Sequence, residues 1–275
     1  MIKKSLLTFL ITFILFCVFW QFYTPDYMGP QTLMQDNQII AQNYLYSDIS
    51  ASNIIVGTSM AYSIKTDKLS DFQNLGLKGG SPDIGMRLIE EKGVYPKRIF
   101  IEINSIFWTD GSFDNLTEGL LNPVFKEGRK LLPSTREGKQ PILAVANEIQ
   151  EIILDISKLE EFTYNDSHFG AKSVDVDDSL AVADRFKIHM NKPLPEYVEK
   201  RFVAFDKHIK NMEAHNVEII FFEMPLCKNL TNQQKPVFTR EFIRERYPEG
   251  KYKHLSDFRK KYPFKTYDTT HLDHA

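Results

Sequence analysis

Ile54-Ile55-Val56-Gly57-Thr58-Ser59 is a run of β-branched apolar residues closing on a glycine and two hydroxyls. An unbroken apolar stretch of this length predicts a strand buried on both faces, which belongs to a parallel sheet with helices on either side. A serine in the small-residue turn after such a strand is positioned as a nucleophile can be. It has a bland alternative as a helix N-cap.

The pattern repeats outward from this strand. Asn74-Leu75-Gly76-Leu77 reads as a short strand, followed by the turn Lys78-Gly79-Gly80-Ser81-Pro82. Asp83 to Lys92 places Ile84, Leu88 and Ile89 on one helical face. Arg98 to Asn104 is the next strand, and Val217 to Phe222, ended by Met224-Pro225, is another. Between them Leu194 to Ala214 predicts a long helix with Val198, Phe202, Phe205 and Ile209 on one side. A helix over Ala61 to Leu69 is expected to open at the serine, and Thr266-Tyr267-Asp268 is expected as a last short strand. The segment up to Tyr262 is expected to be helical in parts. Buried strands alternating with amphipathic helices predict an α/β fold with a parallel sheet. Ser59, Gly79, Asn104 and Pro225 each follow a predicted strand, the edge where such sheets form their sites.

Residues 108–184 loosen this pattern, with polar turns around one amphipathic helix near Ile142 to Leu159. They read as an insertion within a domain spanning 51–275. Residues 24–50 read as a connecting region with a short helix.

The N-terminus bears on compartment. Lys3 and Lys4 precede an apolar stretch that holds no charge before Asp26. At roughly 20 residues it is long enough to cross a bilayer as a helix. Trp20, Phe22 and Tyr23 suit the far interface, and the lysines predict a cytoplasmic N-terminus with an exported domain. A cleavable signal peptide is the competing reading. It wants small residues at its cleavage site, whereas Phe16 to Tyr23 is bulky. An uncleaved anchor over residues 1–23 is therefore favoured.

Composition narrows the remainder. A net charge of −2 gives no basic surface for nucleic acid. The two cysteines, Cys17 and Cys227, form no CxxC metal spacing. Asp175-Val176-Asp177-Asp178 lacks the glycine and closing glutamate of a calcium loop. His208 and His215 show no third ligand and read as surface residues.

Near the far end stands Asp268-Thr269-Thr270-His271. If the two ends meet, His271 can act as base toward Ser59 and Asp268 can orient its imidazole. The backbone N–H groups of Ser59 and Gly79, with the Asn104 amide, can form an oxyanion hole. Gly57-Thr58-Ser59-Met60-Ala61 is similar to a nucleophile elbow, but too few strands precede it for an α/β-hydrolase.

The arrangement resembles the SGNH (GDSL-like) hydrolase superfamily. Ile54 to Ser59 is similar to its first block, Asn74-Leu75-Gly76-Leu77-Lys78-Gly79 to its second and Asp268-Thr269-Thr270-His271 to its last. Glu102-Ile103-Asn104-Ser105 stands where the third block is expected, without its glycine. The resemblance implies a three-layer, flavodoxin-like parallel sheet, a Ser59–His271–Asp268 triad and an oxyanion hole of Ser59, Gly79 and Asn104. It implies no cofactor or metal. With the anchor, it resembles cell-surface members that act on O-acyl groups of polysaccharides, beside membrane-bound O-acyltransferases in alginate or teichoic acid modification. The expected activity is that of a serine esterase or acyltransferase, with an acylated glycan or cell-envelope polymer as partner. The alternative is a non-catalytic accessory protein that binds glycan or a membrane O-acyltransferase.

Overall fold

A computed structural model describes residues 2–22, 33–66, 68–104, 106–107, 119–139, 190–226 and 228–255, without the side chains of 20–22, 228 and 229. The chain divides into two compact units, Met1–Tyr46 with Asn115–Tyr164 and Ser47–Asp114 with Asn165–Ala275. The N-terminal apolar segment and most of residues 24–50 thus share a unit with part of the 108–184 stretch.

In the first unit, helix α1 (Ile2–Phe22) contains an 18-residue apolar window, Ile2–Phe19, long enough to cross a bilayer or to act as a signal sequence. Helix α2 (Leu33–Tyr46) is the short helix expected in the connecting region, and it buries Ala41 and Tyr44. Helix α5 (Pro123–Leu131) and two 3-10 turns, Pro133–Thr135 and Glu137–Lys139, belong to the same unit.

The second unit is built on a five-stranded parallel sheet of order β2-β1-β3-β4-β5. The strands are β1 (Asn53–Gly57), β2 (Phe72–Gly76), β3 (Arg98–Glu102), β4 (Glu218–Phe222) and β5 (Lys253–His254). All five residues of β1 are buried, as a central strand covered on both faces requires. Helix α4 (Pro82–Lys92) packs on β1 and β2, and helix α6 (Pro195–Ala214) packs on α4 and β4. The face of α6 read from its periodicity, Val198, Phe202, Phe205 and Ile209, is the face it buries. Helices α7 (Lys228–Thr231) and α8 (Gln234–Arg246) follow β4. Phe242 of α8 meets Phe202 edge-on at 4.7 Å, and Phe107, beyond β3, joins the same aromatic group at 5.5 Å from Phe202. These rings bury large apolar area in favoured tilted geometries and seat α6 and α8 against each other.

Two expectations change. The helix expected over Ala61 to Leu69 is only α3, Ser59–Tyr62. The cause is distant in sequence. The Asn74 side chain donates to the carbonyls of Ala61, Tyr62 and Ile64 at 2.7, 3.2 and 2.9 Å, which caps the helix after one turn. Within the segment up to Tyr262, the fifth strand stands at Lys253–His254. Thr266 to Asp268 and the helix near Ile142 to Leu159 lie outside the described residues.

Candidate functional site at the carboxyl edge of the sheet

The chain runs from β1 to β2 on one side and returns to β3 on the other, so its order reverses between β1 and β3. In open parallel sheets ligands bind beyond the carboxyl ends of the strands at such a reversal. Thr58 and Ser59 leave β1 there, and beside them Glu102 ends β3 and Ile103 and Asn104 leave it.

The approach of the two strand ends depends on glycine. A Cβ at Gly57 would lie 2.7 Å from Glu102 Cβ and 2.9 Å from Glu102 Oε2. A Cβ at Gly76, the residue paired with Gly57 across β1 and β2, would lie 2.3 Å from Tyr62 N. With both positions bare, α3 settles onto the sheet edge and the Glu102 side chain reaches under the β1 turn.

Glu102 is fully buried, and one of its oxygens holds that turn. The Thr58 N–H and Oγ1–H both donate to Glu102 Oε2, at 2.9 and 2.7 Å. Thr58 Oγ1 in turn accepts from Met60 N at 3.3 Å and caps α3. Ser59 is thus the first residue of α3, half-buried, on a turn fixed from below by a buried carboxylate. In the sequence Glu102 reads only as a strand residue and third-block neighbour. The available signal was a charged residue closing an apolar strand in a sheet covered on both faces, since a buried charge demands partners. Glu102→Leu leaves two buried donors of Thr58 without their acceptor and is expected to cost about 2–4 kcal/mol. Glu102→Gln, which keeps an acceptor oxygen, is expected to cost clearly less. Thermal unfolding of both variants checks the order.

Gly79 lies exposed in the turn after β2 with φ 66°, a left-handed conformation that favours glycine. That turn is closed by Gly80 N donating to Leu77 O at 2.9 Å, and it is tied to β1 by Leu77 N donating to Gly57 O at 3.0 Å. Lys78 Nζ sits 4.4 Å from the centre of the Tyr62 ring in α3. Asn104 is buried, and its amide pairs with the Met224 backbone in both directions. Nδ2 donates to Met224 O at 2.8 Å and Oδ1 accepts from Met224 N at 2.7 Å. This joins the ends of β3 and β4. Met60, next to Ser59 in α3, packs with Met224, Leu226 and Leu230 in one buried apolar cluster.

The structure therefore brings Ser59, the Gly79 turn and Asn104 to one edge. Asp268 and His271 lie outside the described residues. Away from this edge, His208 is half-buried and not a plain surface residue, with Nδ1 2.9 Å from Glu90 Oε1. His215 is exposed and stacked on Tyr95. Among the described residues no cluster of His, Cys, Asp and Glu is suited to hold a metal ion. Compared with protein-family models, curated proteins and solved structures, the chain matches none.

Proposed function

We propose that this chain is a membrane-anchored serine esterase or acyltransferase acting on O-acyl groups of a cell-surface polysaccharide. Its second unit would be a three-layer, flavodoxin-like domain of SGNH type. The observation that carries the reading is the position of Ser59. It stands at the carboxyl end of β1, an interior strand, where the chain order reverses, at the head of a turn anchored by Glu102.

In this mechanism Ser59 Oγ attacks the acyl carbonyl carbon while His271 takes its proton, with Asp268 orienting the imidazole. The carbonyl oxygen becomes an oxyanion held by the N–H groups of Ser59 and Gly79 and by the Asn104 amide. The C–O bond to the sugar breaks, the departing sugar oxygen takes the proton from His271, and the acyl group remains on Ser59 as an ester. A second hydroxyl, from a glycan or from water, then gives its proton to His271 and attacks that ester, which releases Ser59. The roles of Asp268 and His271 rest on their spacing and on the SGNH resemblance. The anchor reading puts the domain outside the cytoplasm, and the SGNH resemblance adds a membrane-bound O-acyltransferase as a partner there. A second reading, a non-catalytic glycan- or partner-binding protein, is favoured by one observation: both ends of the Asn104 amide already pair with Met224.

A fluorophosphonate probe on the full chain in detergent separates the two. Labelling of wild type and of Ser63→Ala, with complete loss in Ser59→Ala, is expected. Folded wild-type protein that stays unlabelled, or Ser59→Ala that labels like wild type, overturns the enzyme reading.

A further inference from the structure

Helix α5 is built inside out. At 3.6 residues per turn Val124, Phe125 and Leu131 share an arc of about 120°, with Lys126 and Lys130 on the opposite side. A helix of a water-soluble unit turns such an arc inward. Here Val124 is 78% exposed, Phe125 58% and Leu131 76%, and no residue of the helix is buried. The helix is held through its backbone. Tyr46 Oη donates to Lys126 O at 3.3 Å and Arg136 Nε donates to Arg129 O at 2.9 Å. The start is capped by Asn122, whose side chain accepts from Val124 N at 3.0 Å. This is an amphipathic helix whose apolar face is exposed among the described residues.

We propose that α5 lies in the membrane–water interface beside the carboxyl-terminal end of α1, with Val124, Phe125 and Leu131 set into the headgroup–acyl boundary of a bilayer containing anionic lipid. This rests on the reading of α1 as a membrane span.

Three observations select lipid as the occupant. First, α5 runs directly into the 3-10 turn Pro133–Thr135, which packs on α1, with Ser134 Oγ 3.8 Å from Cys17 Sγ. Cys17 lies near the end of the apolar window Ile2–Phe19. At 1.5 Å per residue it stands about 7–8 Å from the end of the helix at Phe22, the depth of the interface. Second, no residue of the apolar window of α1 is buried, so two outward apolar surfaces meet at that turn. Third, α5 bears Lys126, Arg129 and Lys130 against a single acid, Glu127. Basic residues around an exposed apolar face are the composition that binds anionic bilayer surfaces.

The test places a nitroxide label on the full chain reconstituted into vesicles of phosphatidylcholine with a minor share of phosphatidylglycerol. Four single-cysteine variants, Leu10→Cys, Phe125→Cys, Glu127→Cys and Leu131→Cys, are made in a background carrying Cys17→Ser and Cys227→Ser. Collision with oxygen reports lipid, and collision with a water-soluble nickel chelate reports water. The oxygen-to-nickel ratio is expected to be severalfold higher at 125 and 131 than at 127. Equal, water-like ratios at 125, 127 and 131 while Leu10 reads lipid overturn the proposal and leave the anchor intact. A water-like ratio at Leu10 overturns the anchor reading itself. Spin–spin broadening at 125 would show a second copy covering the face and would also overturn the proposal.

Discussion

Replacing Gly76 by alanine is expected to destabilise the sheet-bearing unit by about 3 kcal/mol or more, beyond the ordinary cost of an added methyl. The reason is what the new Cβ meets. Tyr62 N would stand 2.3 Å away, Ala61 C 2.7 Å and Tyr62 Cα 2.8 Å, all of them backbone. A flexible side chain could rotate aside, but a helix backbone moves only as a body. Relief therefore requires α3 to lift off the β1–β2 edge, and α3 begins at Ser59. The lift also strains the capping bonds from Asn74 to the α3 carbonyls. The expected readout is a melting temperature lower by several degrees, joined, under the proposed function, by weaker fluorophosphonate labelling at Ser59 in the surviving folded protein. Gly128→Ala is the control. It sits in a helix with nothing within 4 Å of its Cβ and is expected to be neutral or slightly stabilising. If Gly76→Ala melts with wild type, the seating of α3 described here is wrong.

The same region shows what could and could not be read from sequence. Strands β1, β3 and β4 were legible from short apolar runs and helices α4 and α6 from apolar residues recurring at helical spacing, and both signals are local. The early end of α3 was not legible. Nothing between Ala61 and Leu69 forbids a helix, and the stop comes from Asn74 on another strand. Two-residue β5 has no period to read. It is held by pairing with Ile220 and Phe221 and by His254 stacking on Phe221 at 5.2 Å. At the site, the position of Ser59 followed from the strand pattern. The hold of Glu102 on Thr58 depends on a bare Gly57 across the sheet, a relation between residues more than forty positions apart. Asn104 reads from sequence as an oxyanion donor, and its paired bonds to Met224 carry no local signal because they join two strand ends 120 positions apart.

Arg201→Ala is expected to cost about 3–5 kcal/mol, the penalty for stranding a buried charge rather than the net worth of its ion pair. Arg201 on α6 grips Asp83 with both terminal nitrogens, Nη1 to Oδ2 at 2.7 Å and Nη2 to Oδ1. Its Nε donates to Ile106 O at 3.1 Å. Only 12% of the arginine side chain and 18% of the aspartate are exposed. One guanidinium thus fastens the first turn of α4, just after the Gly79 turn, to the segment just after Asn104. Lysine cannot reproduce a planar three-bond grip, so Arg201→Lys should recover little. The pH dependence gives a sharper check. Burial pushes the Asp83 carboxyl up, but the Arg201 hydrogen bonds and charge, helped by Ser81, prevail and hold it below its ordinary 3.8. A depressed folded value means that this group's stabilisation is fully present above about pH 3.8 and is lost as pH falls through the folded value. Without Arg201, burial dominates and the sign reverses: the carboxylate is penalised at neutral pH and relieved by protonation. The gap in melting temperature between wild type and Arg201→Ala should therefore be widest near neutral pH and narrow toward pH 4. In the Asp83→Ala background the same arginine change should cost clearly less, because no buried carboxylate remains to be stranded. A gap independent of pH, with additive effects in the double variant, would mean that Arg201 contributes packing alone and that the two loops at the sheet edge are held by something else.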